Sequence, residues 1–122
     1  MNNSAEQKLA SFLKLEPGWC GGDGIAFDRE TVERARSVLE HFQARWSDAQ
    51  VFPGPNGEIV VSYGDMRFYD IEVEIDPAKP TAILRLALYG AEFEVSLSIK
   101  IACLPNVLAA FVRDTDDAPP TP

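Results

Sequence analysis

Two stretches of the chain alternate apolar residues with carboxylates, and a period of two belongs to a strand with one buried face and one wet face. In Tyr69-Asp70-Ile71-Glu72-Val73-Glu74-Ile75 one parity is apolar and the other acidic. In Glu92-Phe93-Glu94-Val95-Ser96-Leu97-Ser98-Ile99 the same rule sets Glu92 and Glu94 outward. Both read as antiparallel strands of a one-sided sheet, whose wet face is expected to be a patch of carboxylates with little else on it. Ile59, Val61 and Tyr63 alternate on an earlier strand, and residues 82–89 form a nearly continuous apolar run. That run is expected as a central strand covered on much of both faces. Turn chemistry punctuates the series at Pro53-Gly54-Pro55-Asn56-Gly57, Gly64-Asp65, Asp76-Pro77-Ala78-Lys79-Pro80 and Gly90-Ala91. The result is a meander of about four to five strands, with 67–75 and 92–99 among them.

Helical spacing governs the rest. Ser4 is suited to cap a first helix from Ala5 to about Leu15, with Leu9, Phe12 and Leu13 on one face. Pro17-Gly18 ends it, and a glycine-rich loop runs to Gly24. Asp28 is then a strong N-cap, with Phe27 before it and Val32 after it placed as a hydrophobic staple. Val32, Ala35, Val38, Leu39, Phe42 and Trp46 recur as one apolar stripe, while Glu30, Arg34, His41 and Arg45 take the other side. This pattern predicts one long amphipathic helix laid on one face of the sheet. Leu104, Val107, Leu108 and Phe111 predict a short C-terminal helix, with Pro105 in its first turn. The fold class is therefore α+β, helix–helix–meander–helix, a single domain over 1–113. Residues 114–122 read as a disordered acidic and proline-rich tail.

Composition narrows the function. The 122 residues are enough for one compact core. Nineteen acidic against 11 basic residues give a formal net charge of −8. Such a charge repels phosphate backbones, disfavours direct nucleic-acid binding and suits a basic protein partner. Two lone cysteines, Cys20 and Cys103, fit a reducing compartment. The N-terminus lacks the pattern of a signal peptide, and no apolar stretch approaches the ~20 residues needed to span a bilayer. A cytoplasmic location is the simplest expectation, with no membrane association.

The search for chemistry returns little. Cys20 would need a base to become a nucleophile, and His41 is the only histidine, on the polar side of its helix. One histidine and two distant cysteines make no recognisable zinc site, and Asp114, Asp116 and Asp117 lack the glycine and later glutamate of a calcium loop. Gly21-Gly22-Asp23-Gly24 has neither a preceding strand nor the lysine of a phosphate loop. Glu72 and Glu74 share a strand face, but acid–base hydrolysis asks for a cleft and a desolvated acid. No catalytic residue, cofactor or metal ligand is assigned, and a non-enzymatic protein is expected.

One resemblance adds to this. Leu15-Glu16-Pro17-Gly18-Trp19-Cys20-Gly21-Gly22-Asp23-Gly24, the helix after it and Pro53-Gly54-Pro55-Asn56-Gly57-Glu58-Ile59 resemble a diffuse group of small bacterial and phage proteins. These carry a Gly-Trp-Asp-Gly motif between two helices and then a strand start. The resemblance covers the first half of the chain, implies a fold more than an activity, and departs from the motif at Cys20, where the group has Asp. Trp19 is expected to fill the seam between helix and sheet. Together these features predict a small regulator or inhibitor of phage or mobile-element type, anti-CRISPR-like or antitoxin-like. Its basic partner, which includes nucleic-acid-binding proteins, would dock on Asp70, Glu72, Glu74, Glu92 and Glu94. Two alternatives remain at this point: a small enzyme or ligand-binding domain using residues 19–24 with Cys20, and a structural subunit that homodimerises through a sheet edge or helix.

Overall fold

A computed structural model of the chain describes residues 4–65, 69–88 and 93–116. They form an α+β fold with three helices, α1 (Ser4–Ser11), α2 (Arg29–Gln43) and α3 (Leu104–Asp116). Five strands follow one another as β1 (Gln50–Pro53), β2 (Ile59–Asp65), β3 (Tyr69–Ile75), β4 (Ala82–Leu88) and β5 (Phe93–Ile99). Every pair of sequence neighbours is antiparallel, so the spatial order is β1-β2-β3-β4-β5 and the sheet is an uncrossed meander. Short connections permit no other pairing without a crossover.

Alternation in the sequence becomes alternation across the sheet. Val51, Ile59, Val61, Tyr69, Ile71, Val73, Ile75, Ala82 and Leu84 are buried on the inner face. Against them lie Val32, Ala35, Val38, Leu39 and Phe42 of α2, all fully buried. Asp28 caps α2 as its sequence predicts: its carboxylate accepts the Thr31 N–H at 2.6 Å, and Phe27 and Val32 on either side are both buried. The long amphipathic helix expected through Trp46 is not formed. α2 has 15 residues and stops at Gln43, after which the chain turns, with the Trp46 N–H donating to the Phe42 carbonyl at 2.7 Å. Trp46 still reaches the core, edge-on to Phe42 and stacked on Tyr63 at 4.7 Å with the rings 4° apart. A side chain can hold its place in an apolar stripe after the helical backbone has ended.

Other boundaries also shift. The first helix ends at Ser11 and tightens to a 3-10 turn over Phe12–Lys14 instead of running to Leu15. β4 lies inside the sheet but next to its edge strand, and its outer face carries Arg85, so it is not the apolar strand covered on both faces that its composition suggests. β3 is the central strand. α3 reaches Asp116, and the rest of the expected tail, like the expected strand start at 67, lies outside the described residues.

Trp19 is partly buried and packs against the core, its ring 5.6 Å from that of Phe27, while its indole N–H donates back to its own loop at the Ile25 carbonyl, 2.8 Å away. Gly24 makes this possible: its φ is +101°, and a β-carbon there would come within 2.7 Å of the indole nitrogen. The Ile25 N–H then donates to the Pro55 carbonyl at 3.0 Å, fastening the loop to the β1–β2 connection.

Candidate functional site

The outer face of the sheet is the one the helices leave bare, and the pairing register decides what stands on it. Reading across from β1, one row is Gln50, Ser62, Glu72, Arg85 and Ser96. The row toward one end is Gly64, Asp70, Ala87 and Glu94, and toward the other Phe52, Val60, Glu74, Ile83 and Ser98. Asp70, Glu72 and Glu74 therefore share one face of the central strand, and the register sets Glu94 in the row of Asp70. Glu92 lies outside the described residues.

The face is not the bare patch of carboxylates that the sequence suggests. Neighbouring strands interleave small, apolar and hydroxyl residues, and β4 places a cation at the centre. The Arg85 guanidinium donates to Glu72 Oε1 at 3.2 Å and to Glu74 Oε1 at 3.3 Å. Burial lowers the pKa of Arg85, but the charge of Glu74 and the bonds to Glu72 and Glu74 outweigh it and hold it above the ordinary arginine value. Arg85 is thus a fixed positive charge shared by two carboxylates. Sequence reasoning passed over it because it sits alone in an apolar run. The signal was present: folding the chain about the loop at 76–81 sets position 85 opposite position 72.

Beside this triad the face dips. Ser62, Gly64, Asp70, Glu72, Arg85 and Ala87 border a depression of about 390 Å³. The two smallest residues on its border, Gly64 and Ala87, flank Asp70 on either side in one row. The Asp70 carboxylate leans over Gly64 and occupies the place that a β-carbon would take there. The site offers carboxylate oxygens, a hydroxyl and one guanidinium in an open setting. Such a set makes charge-assisted hydrogen bonds to lysine or arginine side chains.

The residues weighed for other chemistry are dispersed. Cys20 and Cys103 are free and exposed. Cys20 sits in a closed turn, exchanging backbone bonds with Asp23 at 2.6 and 2.9 Å. His41 is half-buried on α2, and Arg34 is committed to the carbonyls of Asp76 and Lys79, at 3.3 and 3.0 Å. Among the described residues no group of three or more His, Cys, Asp or Glu could hold a metal ion. No helix among them is long and apolar enough to cross a membrane. Comparison with protein-family models, curated proteins and solved structures finds no significant match to this chain.

Proposed function

We propose that this chain is a non-enzymatic protein-binding regulator that docks a basic protein partner on the outer face of its sheet. The observation that carries the reading is the placement of Asp70, Glu72 and Glu74 on one side of the central strand, on a helix-free face of a chain at −8. A net negative face steers a positively charged partner before contact, and its hydrogen-bond acceptors then fix orientation. Arg85 tempers the face and keeps Glu72 and Glu74 in place, so their oxygens are preorganised rather than mobile. A lysine or arginine of the partner enters the depression beside Asp70 and Glu72. In a partner that binds nucleic acid, the surface covered would be the one that attracts phosphates, which makes the chain an inhibitor by occlusion. A phage or bacterial origin belongs to the same proposal and rests on the sequence motif in residues 15–24.

The test is a paired capture from a bacterial lysate with the wild type and with a triple variant, Asp70→Asn, Glu72→Gln and Glu74→Gln. The expected result is a basic protein retained by the wild type and lost by the folded variant. Retention of the same proteins by both would overturn the reading.

A further inference from the structure

The two edges of the sheet differ sharply. β1 is four residues long, ends at Pro53, and has α1 packed along it, with the Lys8 ammonium 4.6 Å from the Phe52 ring centroid. Shortness, proline, a covering helix and a lysine are the ordinary means by which an edge is kept from pairing with another chain. β5 is longer, carries neither proline nor lysine, and among the described residues no helix packs along it as α1 does along β1. The strand runs seven residues from Phe93 to Ile99, and Ser96, Leu97 and Ser98 are exposed, Leu97 by 49%. Behind it lies a small apolar groove of about 110 Å³, lined by Ile71, Leu84, Leu86, Val95, Leu97 and Val107. An open edge and an incompletely covered apolar face meet on one strand.

We propose that β5 pairs antiparallel with β5 of a second copy of this chain, joining the two sheets into one of ten strands. The strand's own sequence selects this occupant. With the two-fold axis at Ser96, the midpoint of the strand, all seven positions find a partner: Phe93 opposite Ile99, Glu94 opposite Ser98, Val95 opposite Leu97 and Ser96 opposite itself. Apolar positions meet apolar positions on the inner face, polar meet polar on the outer face, and no two like charges oppose one another. A two-fold at Glu94 would instead set carboxylate against carboxylate. The pairing is isologous and closes at two copies, so it leads to a dimer and not a filament. It lays Val95 and Leu97 of one copy beside those of the other and covers the exposed Leu97. Because the axis is perpendicular to the sheet, both outer faces look the same way.

A contact along one strand, about 24 Å at the usual rise, is small for a stable interface, so the dimer is concentration-dependent. In sedimentation equilibrium the wild type should move from 13.4 kDa toward twice that mass between about 1 and about 500 µM. Raising salt should strengthen it, because each copy carries −8. That response is opposite in sign to the salt response of basic-partner docking, so failure of one proposal is distinguishable from failure of the other. Ser96 is exposed, so Ser96→Lys and Ser96→Glu should fold as the wild type does. Each alone sets like charges at the two-fold and should dimerise about three- to fivefold more weakly. An equimolar mixture of the two should dimerise at least as well as the wild type. Leu97→Asn supplies a second route to the same weakening. A wild type that stays at 13.4 kDa throughout overturns the proposal, as does a mixture no better than its components.

Discussion

Arg85 ties the fold to the proposed docking face, and replacing it should move stability and binding in opposite directions. In Arg85→Gln the side chain keeps most of its length and an amide donor but loses its charge. Two bonds at 3.2 and 3.3 Å then lose their ionic component. The partners are partly wet, with side-chain exposures of 32% for Arg85, 40% for Glu72 and 23% for Glu74, so each pair is worth little more than a surface pair. At about 0.2–1 kcal/mol per exposed pair, the loss is roughly 0.5–2 kcal/mol. For a domain of this size that lowers Tm by about 2–8 °C. Binding responds the other way. The formal charge of −8 gains one further negative unit at the centre of the face. One charge acting on a partner cation at ~10 Å in water contributes about 0.4 kcal/mol, about twofold in rate. Thermal unfolding and stopped-flow association with the captured basic partner measure the two effects on one sample. A lower Tm with faster association at low salt is the expected pair. Slower association by a folded Arg85→Gln would refute the reasoning, because the guanidinium would then be a contact and not a brake.

Other substitutions probe the scaffold. Phe42→Ala removes a ring that is 0% exposed between α2 and the sheet, and should cost about 3–5 kcal/mol in a urea titration. A loss under about 1 kcal/mol would show that this helix face is not core. Gly24→Ala pushes a β-carbon against the Trp19 indole at a φ of +101°, and should destabilise by about 1–3 kcal/mol with a shift in tryptophan emission. Wild-type stability there would mean that the indole is not seated on the loop. Cys20→Ser should leave capture of the partner unchanged, and loss of capture in a folded variant would bring the loop into the functional surface.

Much of the architecture is legible in the sequence because burial imposes period. β3 announces itself through Tyr69, Ile71, Val73 and Ile75, all buried in the structure, and Asp28 marks the start of α2 within one residue. What period does not reveal is where a backbone stops while its side chains continue inward, as at Trp46, or which local partner a tryptophan prefers, as at Trp19. The site is legible by halves. Alternation places Asp70, Glu72 and Glu74 on one face of one strand without help. Their neighbours come from the two flanking strands, through a register that only tertiary pairing fixes. Arg85, Gly64 and Ala87 carry no local signal of shared purpose, yet they turn an acidic stripe into a partly neutralised face with a depression in it.

The central claim, that the carboxylate face steers a basic partner, is tested most directly by association rates measured with that partner at about 50 and about 300 mM salt. Wild type is compared with the triple variant of Asp70→Asn, Glu72→Gln and Glu74→Gln, which leaves Arg85 as the cation at the centre of the face. The wild type should associate fast at low salt and slow by about tenfold or more at high salt. The triple variant, folded and within about 2 kcal/mol of wild-type stability because it gives up the same two ion pairs, should be slow at both. Equal rates for the two proteins at both salt concentrations would contradict the account.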